Sequence, residues 1–186
     1  TSFNDDENFM VAGRFASLLA GNATGPKSLR VAVNGYRSDD TSVSAAADFG
    51  FDSTPLTAAR DNIFRGSRTG FGVDAQLVAG RSELWAEYLS TSFEPADRIP
   101  NRDFTASGWY AQAGYFAIAD KLQLVGKYES TDRSDESRGD AVDVYWLGAN
   151  WYMKSHDIKL QLFYARDDDD GSEGSGRIVA RVQTIF

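Results

Sequence analysis

The chain has 186 residues, a formal net charge of -8, no cysteine and a single histidine. An acidic balance without a basic stripe argues against a nucleic-acid partner, which needs a basic surface to track phosphates. The absence of thiols removes disulfides, thiolate metal sites and thiol nucleophiles, and His156 alone gives no histidine metal cluster or triad, so no metal, cofactor or catalytic group is expected.

Taken in chain order, the informative segments alternate apolar and polar residues at period two for about ten residues each, the pattern of strands with one apolar face. Nine are predicted: 9–19, 28–37, 69–79, 82–91, 104–118, 121–130, 142–153, 158–166 and 177–186. No stretch sustains helical spacing or reaches the ~18 consecutive apolar residues of a membrane-spanning helix. The connections alternate in kind. Residues 21–27, 79–82, 119–121 and 154–157 are short turns, whereas 38–68, 92–103, 131–141 and 167–176 are long, polar and mostly acidic. Antiparallel strands place successive connections at opposite ends, so one end of the sheet carries trim turns and the other charged loops. That asymmetry belongs to outer-membrane β-barrels.

The two faces follow from parity. On the seventh strand Tyr145, Leu147, Ala149, Trp151 and Met153 oppose Trp146, Gly148 and Asn150; on the fourth, Leu84, Ala86 and Tyr88 oppose Glu83, Trp85 and Glu87. Alternation alone suits either a soluble β-sandwich binding module, apolar face inward, or a barrel, apolar face toward lipid. Trp109 and Tyr115 on one strand, and Tyr145 and Trp151 on another, fall near the two ends of the apolar stripe, where aromatic girdles meet lipid headgroups.

In the barrel reading the opposite parity faces a lumen. It presents Arg14, Arg30, Lys127, Lys159, Arg177 and Arg181 beside Asp74, Glu83, Glu87 and Glu129, a wall of both signs. Arg14, Arg30 and Lys127 are expected to carry a weak anion preference. The segment 38–68 is too long for a bare connector; its end holds Arg60, Arg65 and Arg68, and it is expected to fold into the lumen as a constriction. Glu83 and Glu87 do not make an acid–base pair, since strand rise puts them ~13 Å apart, wider than the carboxylates of glycosidases. The run "DDDDG" at 167–171 lacks the alternate acidic positions of an EF-hand and reads as a solvated loop, bridged to lipopolysaccharide by divalent ions.

Three stretches, "GWYAQAGYFAI" (108–118), "KLQLVGKYES" (121–130) and "WLGANWYMKSHDIKLQLFYAR" (146–166), with the closing "RVQTIF" (181–186), resemble the C-terminal portion of the phosphate-selective porin O and P family. The resemblance is good over 69–186 and looser before it. It implies a sixteen-stranded, homotrimeric porin of the Gram-negative outer membrane with basic lumen residues, in contact with lipid and lipopolysaccharide, and not an enzyme. The terminal Phe186, on the face of Ile178, Ala180, Val182 and Thr184, resembles the signal read by the barrel-insertion machinery. Nine strands is an odd number, which simple antiparallel closure does not allow. The expectation is therefore an all-β, antiparallel transmembrane barrel portion spanning 1–186, whose partner is the N-terminal half of the barrel. Passive diffusion of small hydrophilic solutes, with anion or phosphate selectivity opposed by the acidic total, is the expected activity; a scaffold barrel plugged by a partner is the alternative.

Overall fold

A computed structural model describes residues 9–22, 26–44, 63–96, 103–135, 141–153, 158–169 and 174–184. Among these residues nine strands follow one another: β1 (Met10–Gly21), β2 (Lys27–Ser44), β3 (Ile63–Ala79), β4 (Ser82–Pro95), β5 (Phe104–Ile118), β6 (Leu122–Asp132), β7 (Val142–Met153), β8 (Ile158–Asp169) and β9 (Gly176–Thr184). They form one antiparallel sheet in which each strand pairs with its neighbours in sequence. Among the described residues β1 and β9 each have one unpaired side, so the sheet is open, and no second layer packs on it as a sandwich would require.

The short turns follow from local chemistry. Ala79 pairs with Ser82, leaving Gly80 and Arg81 as a two-residue hairpin loop. Gly80 alone of these two has a positive φ, +62°, as a type II′ turn requires of its first central residue. The next turn on this side places Asp120 at φ +56°, a left-handed position that aspartate tolerates better than most residues.

The strands outrun their alternation at the other end. The expected loop 38–68 is ladder over 38–44 and 63–68: Ser38 pairs with Arg68, Asp39 with Ser67 and Asp40 with Gly66, before a bulge between Asp40 and Val43. Backbone pairing is indifferent to side-chain polarity, so the hairpin continues past the point where its apolar stripe stops. Arg65 and Arg68 therefore belong to β3, not to a loop, while Arg60 lies outside the described residues. The expected loops at 92–103 and 167–176 likewise begin later, because β4 runs to Pro95 and β8 to Asp169.

Burial separates the two faces. Ala32, Phe64, Phe93, Phe104, Val125 and Ala165, the buried apolar residues, all occupy the parity of the polar face, whereas Leu147 (70% exposed), Leu162 and Ile178 (75% exposed) stand open on the other. Side chains crowd on the inside of a curved sheet and splay on the outside, so the sheet curls toward its polar face. On the convex side the Trp109, Tyr128 and Tyr145 rings follow one another across β5, β6 and β7, with centroids 5.0 and 4.9 Å apart. Tyr115 and Trp151 lie exposed six residues further along β5 and β7, toward the short turns. At ~3.3 Å per residue the two aromatic levels are roughly 20 Å apart along a strand.

Candidate functional site

The concave face is organised in rows, because residues paired across successive antiparallel strands share a face. One row runs Asp74, Glu87, Tyr110, Glu129, Val144 and Asp167 from β3 to β8. The next row toward the short turns contains Arg30 on β2, Trp85, Gln112, Lys127 and Trp146 on β4 to β7, and Arg177 on β9. An acidic band thus lies beside a basic and aromatic one. Neighbouring same-face positions on a strand are ~7 Å apart, within reach of long side chains.

The cations reach across that gap. The Arg14 guanidinium lies 2.8 Å from an Asp74 carboxylate oxygen. Lys127 forms an ion pair with Glu129 and stands 4.6 Å from the centroid of the Tyr110 ring. Arg177 pairs with Asp167 and lies 5.0 Å over Trp146, whose indole N–H donates to Glu129 at 2.7 Å. These partly exposed pairs add little stability individually. Their effect is electrostatic: each cation's field is partly cancelled by an adjacent carboxylate, so the wall presents alternating charge in place of a basic ring.

Toward the short turns the wall changes character. Gln123 donates to Glu83, and its amide oxygen accepts from Asn150 Nδ2 at 2.8 Å and from the Tyr152 hydroxyl at 3.0 Å. Asn150 Oδ1 in turn accepts from Gln161 Nε2 at 2.9 Å. Lys159 sits 5.1 Å over the Tyr152 ring. This chain satisfies the buried amides of Gln123 and Asn150, which would otherwise carry a desolvation penalty of ~1–3 kcal/mol per unpaired group.

Near the opposite end, Arg68 grips Asp40 through two hydrogen bonds, 2.5 and 3.0 Å, and the Ser38 hydroxyl donates to the same carboxylate at 2.8 Å. Beside them Phe93 stacks on Phe104 at 4.7 Å and receives the edge of Phe64 at 5.7 Å. The ends of β3, β4 and β5 are thereby fixed on the concave side.

Of the residues singled out from sequence, Arg14, Arg30, Lys127, Lys159, Arg177 and Arg181 share the concave face, and Arg68 joins them. Arg65 has the opposite parity to Arg68 on the same strand. Phe186, like Arg60, lies outside the described residues. The aromatic partners Tyr110, Trp146 and Tyr152 were not expected as part of the site. The signal was present: each occupies a concave-face position on the strand next to a cation. Asp167 was read as loop, and only the extension of β8 brings it to Arg177.

Comparison with known proteins gives two positive findings. A family model described as phosphate-selective porin O and P matches residues 4–183. Among solved structures, OmpT of Vibrio cholerae, an outer membrane protein folded in vitro, is similar with a TM-score of 0.55 and 12% identity, covering 95% of this chain and 52% of that one. Its trimer form is similar with a TM-score of 0.53 at the same identity and coverage. The chain spans about half the length of these structures, and at this identity the likeness concerns the fold. None of the curated protein sequences compared with the chain matches it.

Proposed function

The chain belongs to the phosphate-selective porin O and P family, and on that premise we propose that its concave face lines a water-filled outer-membrane pore for passive diffusion of small hydrophilic solutes. One observation carries this reading: charged and amide side chains crowd the inside of the curve, while exposed leucines, isoleucine and valine between two aromatic levels cover the outside. Only a sheet with lipid outside and water inside makes both faces favourable. A non-enzymatic channel suits the family and the barrel fold.

The open edges of β1 and β9 need partners, since unpaired backbone groups are costly in a bilayer. Further strands, the N-terminal half of the barrel, close the wall in this proposal, and three such barrels assemble as a homotrimer, in keeping with the trimeric state of the similar OmpT. Lipid and lipopolysaccharide contact the convex face.

Selectivity follows from the rows. Arg14, Arg30 and Lys127 bias the lumen toward anions, and the acidic row weakens that bias because Asp74 and Glu129 sit against two of the three. In a reconstituted channel, Glu129→Gln releases Lys127 from its carboxylate and is expected to move the zero-current potential toward anion preference, whereas Lys127→Gln moves it toward cations. Low-dielectric walls focus the field of single side chains, which makes the shift measurable. A potential unchanged by both substitutions excludes this pair from the conducting path, and a folded barrel that passes no current favours a plugged scaffold.

A further inference from the structure

Resting on the reading of the concave face as a water-accessible wall, we propose that a cleft across β5 to β9 is a binding site for a small organic anion with a flat apolar body, such as an aromatic carboxylate. The cleft holds about 240 Å³ and has two parts. Its floor is apolar, made by Val125, Trp146, Phe163 and Val179, and its polar margin includes Arg181 and Gln112. A cavity of ~150 Å³ already accommodates benzene, so the size suits a single ring with a short acidic substituent.

Glycine creates the floor. A Cβ on Gly148 would lie 2.3 Å from Phe163 Cδ1. Phe163 therefore lies down over the position where any other residue would carry a side chain, and its ring is spread along the wall beside Trp146 on the next row. Both rings are half-buried, Trp146 lying under the Arg177 guanidinium, and a planar apolar body laid against the Phe163 ring removes its remaining face from water with stacking geometry.

Charge selects the rest of the ligand. Lys127, also on the cleft, is committed to Glu129 and Tyr110, and Arg177 to Asp167. Arg181, two residues along β9 from Val179, is exposed on the strand whose other edge the rest of the barrel adjoins, and among the described residues its guanidinium makes no ion pair or hydrogen bond. A guanidinium with its fork free takes a carboxylate through two parallel hydrogen bonds. Inorganic phosphate satisfies Arg181 but leaves the floor uncovered; acetate does the same. The combination therefore discriminates in favour of an anion that also has a ring.

Calorimetric titration of the assembled barrel in detergent with benzoate tests this. Saturable binding is expected, with acetate and inorganic phosphate failing to compete at equal concentration. Arg181→Gln, which removes one exposed charge, is expected to weaken benzoate about tenfold, the scale of a lost charge-assisted hydrogen bond; Trp146→Leu should do likewise. Benzoate binding no tighter than acetate, or an affinity unchanged in Arg181→Gln, overturns the proposal. The titration needs no conductance, so the two readings separate. A conducting channel that ignores benzoate overturns the cleft alone, and a barrel that binds benzoate but passes no current overturns the pore.

Discussion

Leu147→Arg is expected to prevent stable insertion of the barrel. Leu147 is 70% exposed and lies between Tyr145 and Trp151 on the convex face, within the span bounded by the aromatic levels. An arginine there faces hydrocarbon, at ~2–4 kcal/mol near the midplane of a bilayer, a large fraction of a typical margin of stability. The same residue introduced at Gln112, half-buried on the concave face, should cost far less, about the ~0.2–1 kcal/mol of a like charge set directly opposite Lys127. The folded fraction in urea titrations of outer-membrane extracts reads the contrast. Equal loss from both variants would mean that the faces do not differ in solvent.

The second large effect is expected at Phe93. Its ring is 4% exposed, stacked on Phe104 and met edge-on by Phe64, so Phe93→Ala removes the middle of a three-ring cluster. Phenylalanine truncation at buried sites costs ~3–5 kcal/mol because neighbours collapse only partly into the space left behind. This cluster sits where the β3–β4 and β4–β5 ladders extend toward the long loops, beside the Arg68–Asp40 pair. Its loss should lower the urea midpoint substantially and expose the adjoining loops to protease. Ser90→Ala, on the other face of β4, should stay within ~0.5 kcal/mol. A Phe93→Ala midpoint equal to that of Ser90→Ala would remove the cluster from the account of stability.

The strands and their faces were legible in the sequence because one chemical contrast repeats at the strand period. On β7 Tyr145, Leu147, Ala149 and Trp151 alternate with Trp146, Gly148 and Asn150, and no other element type places them sensibly. The continuation of β2 through Ser38, Asp39 and Asp40 was not legible, because polar residues on both faces erase the contrast while the backbone goes on pairing. For the same reason Arg68 looked like a loop cation until the register set it against Asp40. Parity placed Arg14, Asp74, Lys127 and Glu129 on one face, but their partnerships depend on register. Arg14 meets Asp74 across an intervening strand, a relation that no local pattern encodes. The floor of the cleft was hidden differently: Gly148 reads as a gap in the pattern, and its meaning appears only when the Phe163 ring occupies the space.

These 186 residues contain no cysteine, so a thiol introduced among them has no counterpart there. Single-channel current through Lys127→Cys and Leu147→Cys barrels, recorded while a bulky, membrane-impermeant thiol reagent is added, tests most directly whether the concave face is the conduit. The current through Lys127→Cys is predicted to fall in a discrete step as the reagent narrows the lumen, and that through Leu147→Cys to continue unchanged. A step in Leu147→Cys with none in Lys127→Cys would place water on the convex face and contradict the account.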